Sequence, residues 1–328
     1  MPASSKSQLT PIVFRLPATL ITLAAIAFAF TFSLAAAPAS AESHITWSWG
    51  SGKTVRGSGN VVEQPVVAAA FDKVVAQDGI RVVLRRGASQ KVLVKTDDNL
   101  LPLVEAKVDG ASLLLRMQPK TSASTKSGVV VTIDYTSLRA LSLKDGARGE
   151  LDAASGNAFR ATITDGAALT IAEASASDFE LSVSDGARAT VVKATAVASQ
   201  RYKVVDGARL SVDAATGDRV TISVADGASA SLNSVNIKTI DASVSDGAHL
   251  EVAGVAQQQD FSLADGAAIN ALRLQGNSAR ARSIDGSALK LGVVQTLSAE
   301  TLDGGSIRFA GDPALTINSR IGGSVRKI

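Results

Sequence analysis

From Leu141 to Phe309 the apolar residues fall at fixed offsets from a dipeptide, Asp-Gly, that recurs about every twenty residues. Two before the Asp stand Leu143, Ile163, Val183, Val204, Val224, Val244 and Leu263, and four before it Leu141, Ala161, Leu181, Tyr202, Ile222, Ala242 and Phe261. Four after it come Leu169, Ala189, Leu210, Ala230, Leu250, Ile269, Leu289 and Ile307. Six after it come Leu151, Ile171, Val191, Val212, Leu232, Val252, Ala271, Leu291 and Phe309. The residues between them are mostly Ser, Thr, Arg, Lys and Glu. Alternation with period two marks half-buried strands, so each repeat predicts a strand on either side of a corner. A third register, nine after the Asp, holds Ala154, Ala174, Ala194, Ala215, Val235, Val255, Leu274 and Val294 and predicts a looser third side. In the last repeats Ile284 and Leu302 directly precede the Asp, a slip that predicts a bulge.

The corners are Asp145-Gly146, Asp165-Gly166, Asp185-Gly186, Asp206-Gly207, Asp226-Gly227, Asp246-Gly247, Asp265-Gly266, Asp285-Gly286 and Asp303-Gly304. Self-similarity at a fixed period is the signature of a solenoid in which one repeat is one coil. Stacked coils place equivalent residues about 4.8 Å apart, so nine coils span about 40 Å. Parallel crossovers are overwhelmingly right-handed. The expected fold is therefore all-β, a right-handed parallel β-helix of about 20 residues per coil, with an antiparallel sandwich as the competing architecture. Glycine allows the positive φ of a tight corner, and Asp accepts hydrogen bonds from nearby main-chain amides. Ala, which follows in seven copies, fits a crowded inner corner.

Carboxylates stacked at this spacing repel by about 1 kcal/mol per neighbouring pair at bulk dielectric. Amide donors, the basic residues three after the Asp, or a cation would offset this. Ca²⁺ accepts ladders of oxygen ligands, but the period does not match the nonapeptide calcium repeat. The column is read as structural, with no metal or cofactor, and calcium is its alternative role. The outward series Arg148, Arg188, Arg209 and His249 is the candidate surface contact.

Upstream, Lys6 and Arg15 precede an apolar run from Leu16 to Ala37 and a small-x-small site, Ala39-Ser40-Ala41. Residues 1–41 read as a signal peptide cut before Glu42, with a membrane anchor as the competing reading. No later segment is long and apolar enough to span a bilayer. Residues 42–60 read as a flexible segment in which Trp47 and Trp49 cover the open end of the solenoid or offer a sugar-stacking platform. Gly50-Ser51-Gly52-Lys53-Thr54 has the tail of a phosphate loop, but Trp47 stands where its first glycine belongs. Residues 61–117 form short strands separated by turns such as Asp78-Gly79 and Asp109-Gly110. Residues 118–128 form a Ser/Thr/Lys-rich loop after Pro119, and 129–328 continue the β-helix begun at 61–117.

Gly57-Ser58-Gly59-Asn60, Phe71-Asp72, Gly79-Ile80-Arg81-Val82, Gly87, Asp98-Asn99-Leu100-Leu101 and Gly110 with Leu113 and Leu115 form a more specific pattern. It resembles the head GIN domain, a family of putative autotransporter adhesin heads from bacterial envelope proteins. The resemblance spans about residues 57–328 and is strongest before 150. The family's corner is often Ser-Gly, so the Asp-Gly corners depart from it. The resemblance implies an adhesin-like role and supplies no catalytic residues.

Composition narrows the chemistry. The chain has no cysteine, which removes disulfides, thiolate metal sites and cysteine nucleophiles. Residues 1–41 hold two of its 33 basic residues and none of its 30 acidic ones, leaving a net charge of about +1. Nucleic acid, which needs a concentrated basic footprint, is not an expected partner. Both histidines, His44 and His249, lack an acid/base partner in the sequence. Glu150, Glu173, Glu180, Asp213, Asp218 and Glu251 form no recognisable catalytic pair. The expectation is an exported, noncatalytic, adhesin-like binding scaffold, periplasmic, on the outer surface or secreted to the extracellular space. Its expected partner is an envelope component or glycan, with self-association through exposed strand edges. The alternative is a polysaccharide lyase or hydrolase working in a groove.

Overall fold

The structure, a computed structural model, describes residues 45–46, 53–195 and 198–328. The expected signal peptide at 1–41, His44, Trp47, Trp49 and Gly50-Ser51-Gly52 lie outside the described residues. The chain divides into two units, Met1–Glu42 and Ser43–Ile328, and all described residues belong to the second.

Alternating sequence becomes stacked parallel strands. Arg148–Ala154 pairs in register with Ala168–Ala174, which pairs with Arg188–Ala194, which pairs with Arg209–Val224. On the other side of the corner Ala158–Ile163, Asp178–Val183 and Ser199–Val204 stack in the same way. Ser229–Val244 and His249–Leu263 run unbroken through both sides. The result is a β-solenoid of about 9 turns. Among the described residues antiparallel pairing is confined to the part before Tyr135. There Val61–Val66 pairs with Lys91–Asp97, Lys91–Asp97 with Val130–Tyr135, and Val104–Asp109 with Ser112–Met117.

The segment 118–128, expected as a loop, contains the strand Thr121–Thr125. It pairs antiparallel with Ile45–Thr46 and parallel with Lys53–Arg56, so part of the segment expected to be flexible is also strand. The physical reason is that Thr and Ser tolerate extended backbone and neighbours on both edges satisfy it. Ser122, Ala123 and Thr125 are buried.

The core fills the coil interior with the predicted series, with one exception. Val255 is 43% exposed. The corner-to-corner step there is one residue short, and the register shifts between Leu232 and Val235. Gly254 then takes the place opposite Val235, where a Cβ would lie 2.2 Å from the Val235 carbonyl oxygen. The bulge expected before Asp285 and Asp303 is not there. Leu263, Ser283 and Thr301 stay in register, and the alternation holds because buried hydroxyls replace aliphatics. Ser283 Oγ donates to the Ser287 carbonyl at 2.9 Å, and Thr301 Oγ1 to Ser319 Oγ at 2.8 Å.

Phe159 and Phe179 stack with centroids 6.0 Å apart, and Tyr202 meets Phe179 edge-on. Gln200 continues the Phe column, accepting from Tyr202 Oη at 2.9 Å and donating to the Thr216 carbonyl at 2.8 Å. Phe179 is fully buried. Phe179→Ala is expected to destabilise the fold by about 3–5 kcal/mol, read by denaturant unfolding; a loss under about 1 kcal/mol would mean that the aromatic column does not carry the core.

Candidate functional site

Each Asp-Gly corner is a tight turn with both central residues at positive φ, 47° to 55° at Asp and 66° to 76° at Gly. This is the type I′ pattern, for which Asp-Gly is favoured because Gly has no Cβ and Asp tolerates the left-handed region. The turn closes with the Ala147 N–H donating to the Lys144 carbonyl at 3.1 Å, and its equivalents repeat this. Ala147, Ala167, Ala187, Ala208, Ala228, Ala248 and Ala267 are fully buried, as the inner corner requires.

Coils are joined at the corner by main chain. The Gly146 N–H donates to the Asp165 carbonyl at 2.9 Å, Gly166 to Asp185 at 3.0 Å, and so on to Gly286 and Asp303 at 3.0 Å. The expectation that the Asp carboxylates take main-chain amides does not hold within the column. The carboxylates of Asp165, Asp185 and Asp246 accept instead from the hydroxyls of Thr164, Ser184 and Ser245. The ladder also reaches two corners that the period misses. Gly79 donates to the Asp145 carbonyl at 2.9 Å, and Gly304 to the Ile321 carbonyl at 3.1 Å. Asp78 repeats the dipeptide but lies far outside the twenty-residue spacing. Its carboxylate accepts from the Met117 N–H at 3.0 Å.

Eight corner carboxylates from Asp165 to Asp303 are exposed, and Asp145 is half-buried. Burial, then the charges of Asp165 and Asp78, push the Asp145 carboxyl above its ordinary value, with Lys144 opposing. Arg148, Arg188, Arg209 and His249 do fall into one in-register, exposed column, which also contains Arg81. None of the four is ion-paired to a corner Asp among the described residues, and Arg81 pairs instead with Glu150 at 2.5 Å. Among the described residues no three His, Asp or Glu side chains converge as a metal site.

A concavity lies elsewhere on the described residues. A groove of about 620 Å³ crosses the strands before the corners, from Arg219 to Thr316. Two rows of outward residues form its floor. One is Arg219, Thr239, Gln258, Ser278, Thr296 and Ala314. The other includes Asp241, Asp260, Arg280, Ser298 and Thr316. Arg219 is paired with Asp241. Asp260 and Arg280 are exposed and lie opposite each other on adjacent strands. A second concavity of about 360 Å³ lies on the same strand series, where Arg160 chelates Glu180 at 2.8 and 3.0 Å. Sequence alone shows these residues only as solvent-facing positions; in-register stacking makes them a surface.

The sequence model described as "Putative auto-transporter adhesin, head GIN domain" matches residues 70–201 and 188–313. No curated protein matches the chain. The chain is similar to the crystal structure of a putative adhesin from Parabacteroides merdae, with 13% identity, a TM-score of 0.51, and 84% of this chain and 99% of that one covered. A putative adhesin from Parabacteroides distasonis gives 16% identity, a TM-score of 0.47 and coverage of 84% and 100%. A putative lipid binding protein from the same species gives 16% identity, a TM-score of 0.39 and the same coverage.

A carboxyl whose folded-state pKa is raised binds its proton more tightly in the native than in the unfolded chain, so stability falls as pH rises through the folded value. Asp145→Asn is expected to raise thermal stability at pH 7 by up to about 1 kcal/mol, with that gain shrinking toward pH 3. Melting curves across this range test it, and a gain that does not change with pH would refute the repulsion.

Proposed function

Because the chain belongs to the family of putative auto-transporter adhesin head GIN domains, we propose that it is a noncatalytic, adhesin-like binding protein, exported to the cell envelope or beyond. It holds an extended polar polymer, a glycan in the first instance, along the Arg219–Thr316 groove. The observation that carries this reading is the groove itself, a polar floor crossing successive coils at a repeat of about 4.8 Å. Hydroxyl, amide and guanidinium groups recur there, and such a surface offers many weak contacts to a repeating ligand. The expected signal peptide supports export.

The competing reading is polysaccharide cleavage, since Asp241 and Asp260 are stacked neighbours in the groove. Paired-carboxylate hydrolysis needs two available groups, and Asp241 is engaged by Arg219. That favours binding over turnover.

The test is a glycan array followed by calorimetry on the best hit, with Arg280→Glu in the groove and Arg188→Glu in the exposed arginine column. Arg280→Glu is expected to weaken binding at least about tenfold, the effect of a central contact, with Arg188→Glu unchanged. The reverse result would move the contact to the Arg148, Arg188, Arg209 and His249 column. Release of reducing ends or unsaturated sugars, abolished by Asp260→Asn, would replace the binding reading with an enzymatic one.

A further inference from the structure

On the strand faces a charge on one coil is commonly met by its opposite on the next. Arg160 pairs with Glu180 at 2.8 Å, Lys238 with Asp218 at 2.8 Å, and Arg273 with Glu251 at 2.8 Å. One column on the strands after the corners breaks this rule. Lys290 lies in register with Arg308, and Arg308 with Arg326, so three cations stack on successive coils over about 10 Å. Arg81 with Arg148 and Arg188 with Arg209 make runs of only two.

Lys290, Arg308 and Arg326 are exposed, and none has an ion pair or side-chain hydrogen bond among the described residues. They alternate with Leu289, Leu291, Ile307 and Phe309, which are buried. The three therefore face away from the core, where a further coil would not cover them. The neighbouring outward column, Ala288, Ser306 and Ser324, is small and uncharged and leaves them open from that side.

Two features say what fits this column. The chain has 33 basic and 30 acidic residues, so its net charge attracts a polyanion only weakly and any such attraction comes from the column itself. Every Phe and Tyr among the described residues is buried, so the described part of this face has no ring on which a base could stack. Charges in single file match a chain of anions better than a plane of them.

We propose that Lys290, Arg308 and Arg326 bind a linear acidic polysaccharide, a polyuronate in chemical class, with its carboxylates laid along the column. Guanidinium and ammonium groups hold carboxylates through charge-assisted hydrogen bonds, and a polyuronate offers one carboxylate on each sugar ring. This column lies across the corner from the Arg219–Thr316 groove, and its binding does not depend on what that groove holds.

Calorimetry of the full chain with polygalacturonate tests this, with dextran as the uncharged control. Binding is expected for polygalacturonate and not for dextran. It is expected to weaken on the order of tenfold or more as salt rises from about 50 to about 200 mM, because three contacts release counterions. Arg308→Glu is expected to weaken binding at least about tenfold, with Lys290→Gln giving a smaller loss and Arg280→Glu in the groove none. Glu at position 308 gains cationic neighbours on both sides, so the circular dichroism of that variant is expected to match the parent. No binding at low salt, an Arg308→Glu variant that binds like the parent, or an equal loss with Arg280→Glu would each overturn the proposal. Tighter binding to phosphatidylglycerol vesicles or to single-stranded DNA than to polygalacturonate would also overturn it.

Discussion

The structure rests on a main-chain hydrogen bond passed from coil to coil at the corner, from a glycine N–H to the aspartate carbonyl of the next coil. That bond requires two consecutive residues at positive φ, a conformation that β-carbons penalise in nearly every residue but Gly, Asn and Asp. The dipeptide therefore recurs because the backbone demands it. The carboxylate comes along as the side chain of a residue that tolerates the turn. Its partner at Asp165, Asp185 and Asp246 is the hydroxyl just before it, and at Asp78 the Met117 N–H.

Once the corner fixes the pitch, like residues must stack. Buried alanines, exposed carboxylates and the Phe159–Phe179 pair all follow from the same registration. Like charges are tolerated along the corner because most of them face water, where their repulsion is weak. Asp145, half-buried between Asp78 and Asp165, is where that tolerance thins. On the strand face unlike charges meet across coils instead, as Arg160 with Glu180 and Arg219 with Asp241.

The stack changes character toward residue 61, where antiparallel pairs such as Val61–Val66 with Lys91–Asp97 replace the parallel ladder. The groove is a further consequence of registration, a face on which successive coils repeat outward polar positions from Arg219 to Thr316.

The sequence by itself determined the coil. Period-two alternation around Asp-Gly is a local property, and the apolar positions at fixed offsets from the Asp, Val255 excepted, report their own burial, so strands, corners and inner alanines were legible. The tertiary structure decided whatever depends on which residue lies over which. Asp78 joins the column from outside the period, and Ser283 and Thr301 stay inward although Ile284 and Leu302 suggest a slip. Thr121–Thr125 finds its partners about seventy to eighty residues away in Lys53–Arg56 and Ile45–Thr46. Arg219, Asp260 and Arg280, spread over sixty residues, share one groove. The physical reason is that burial is encoded by each side chain alone, whereas registration between coils is a relation among distant residues that exists only after the chain has wound.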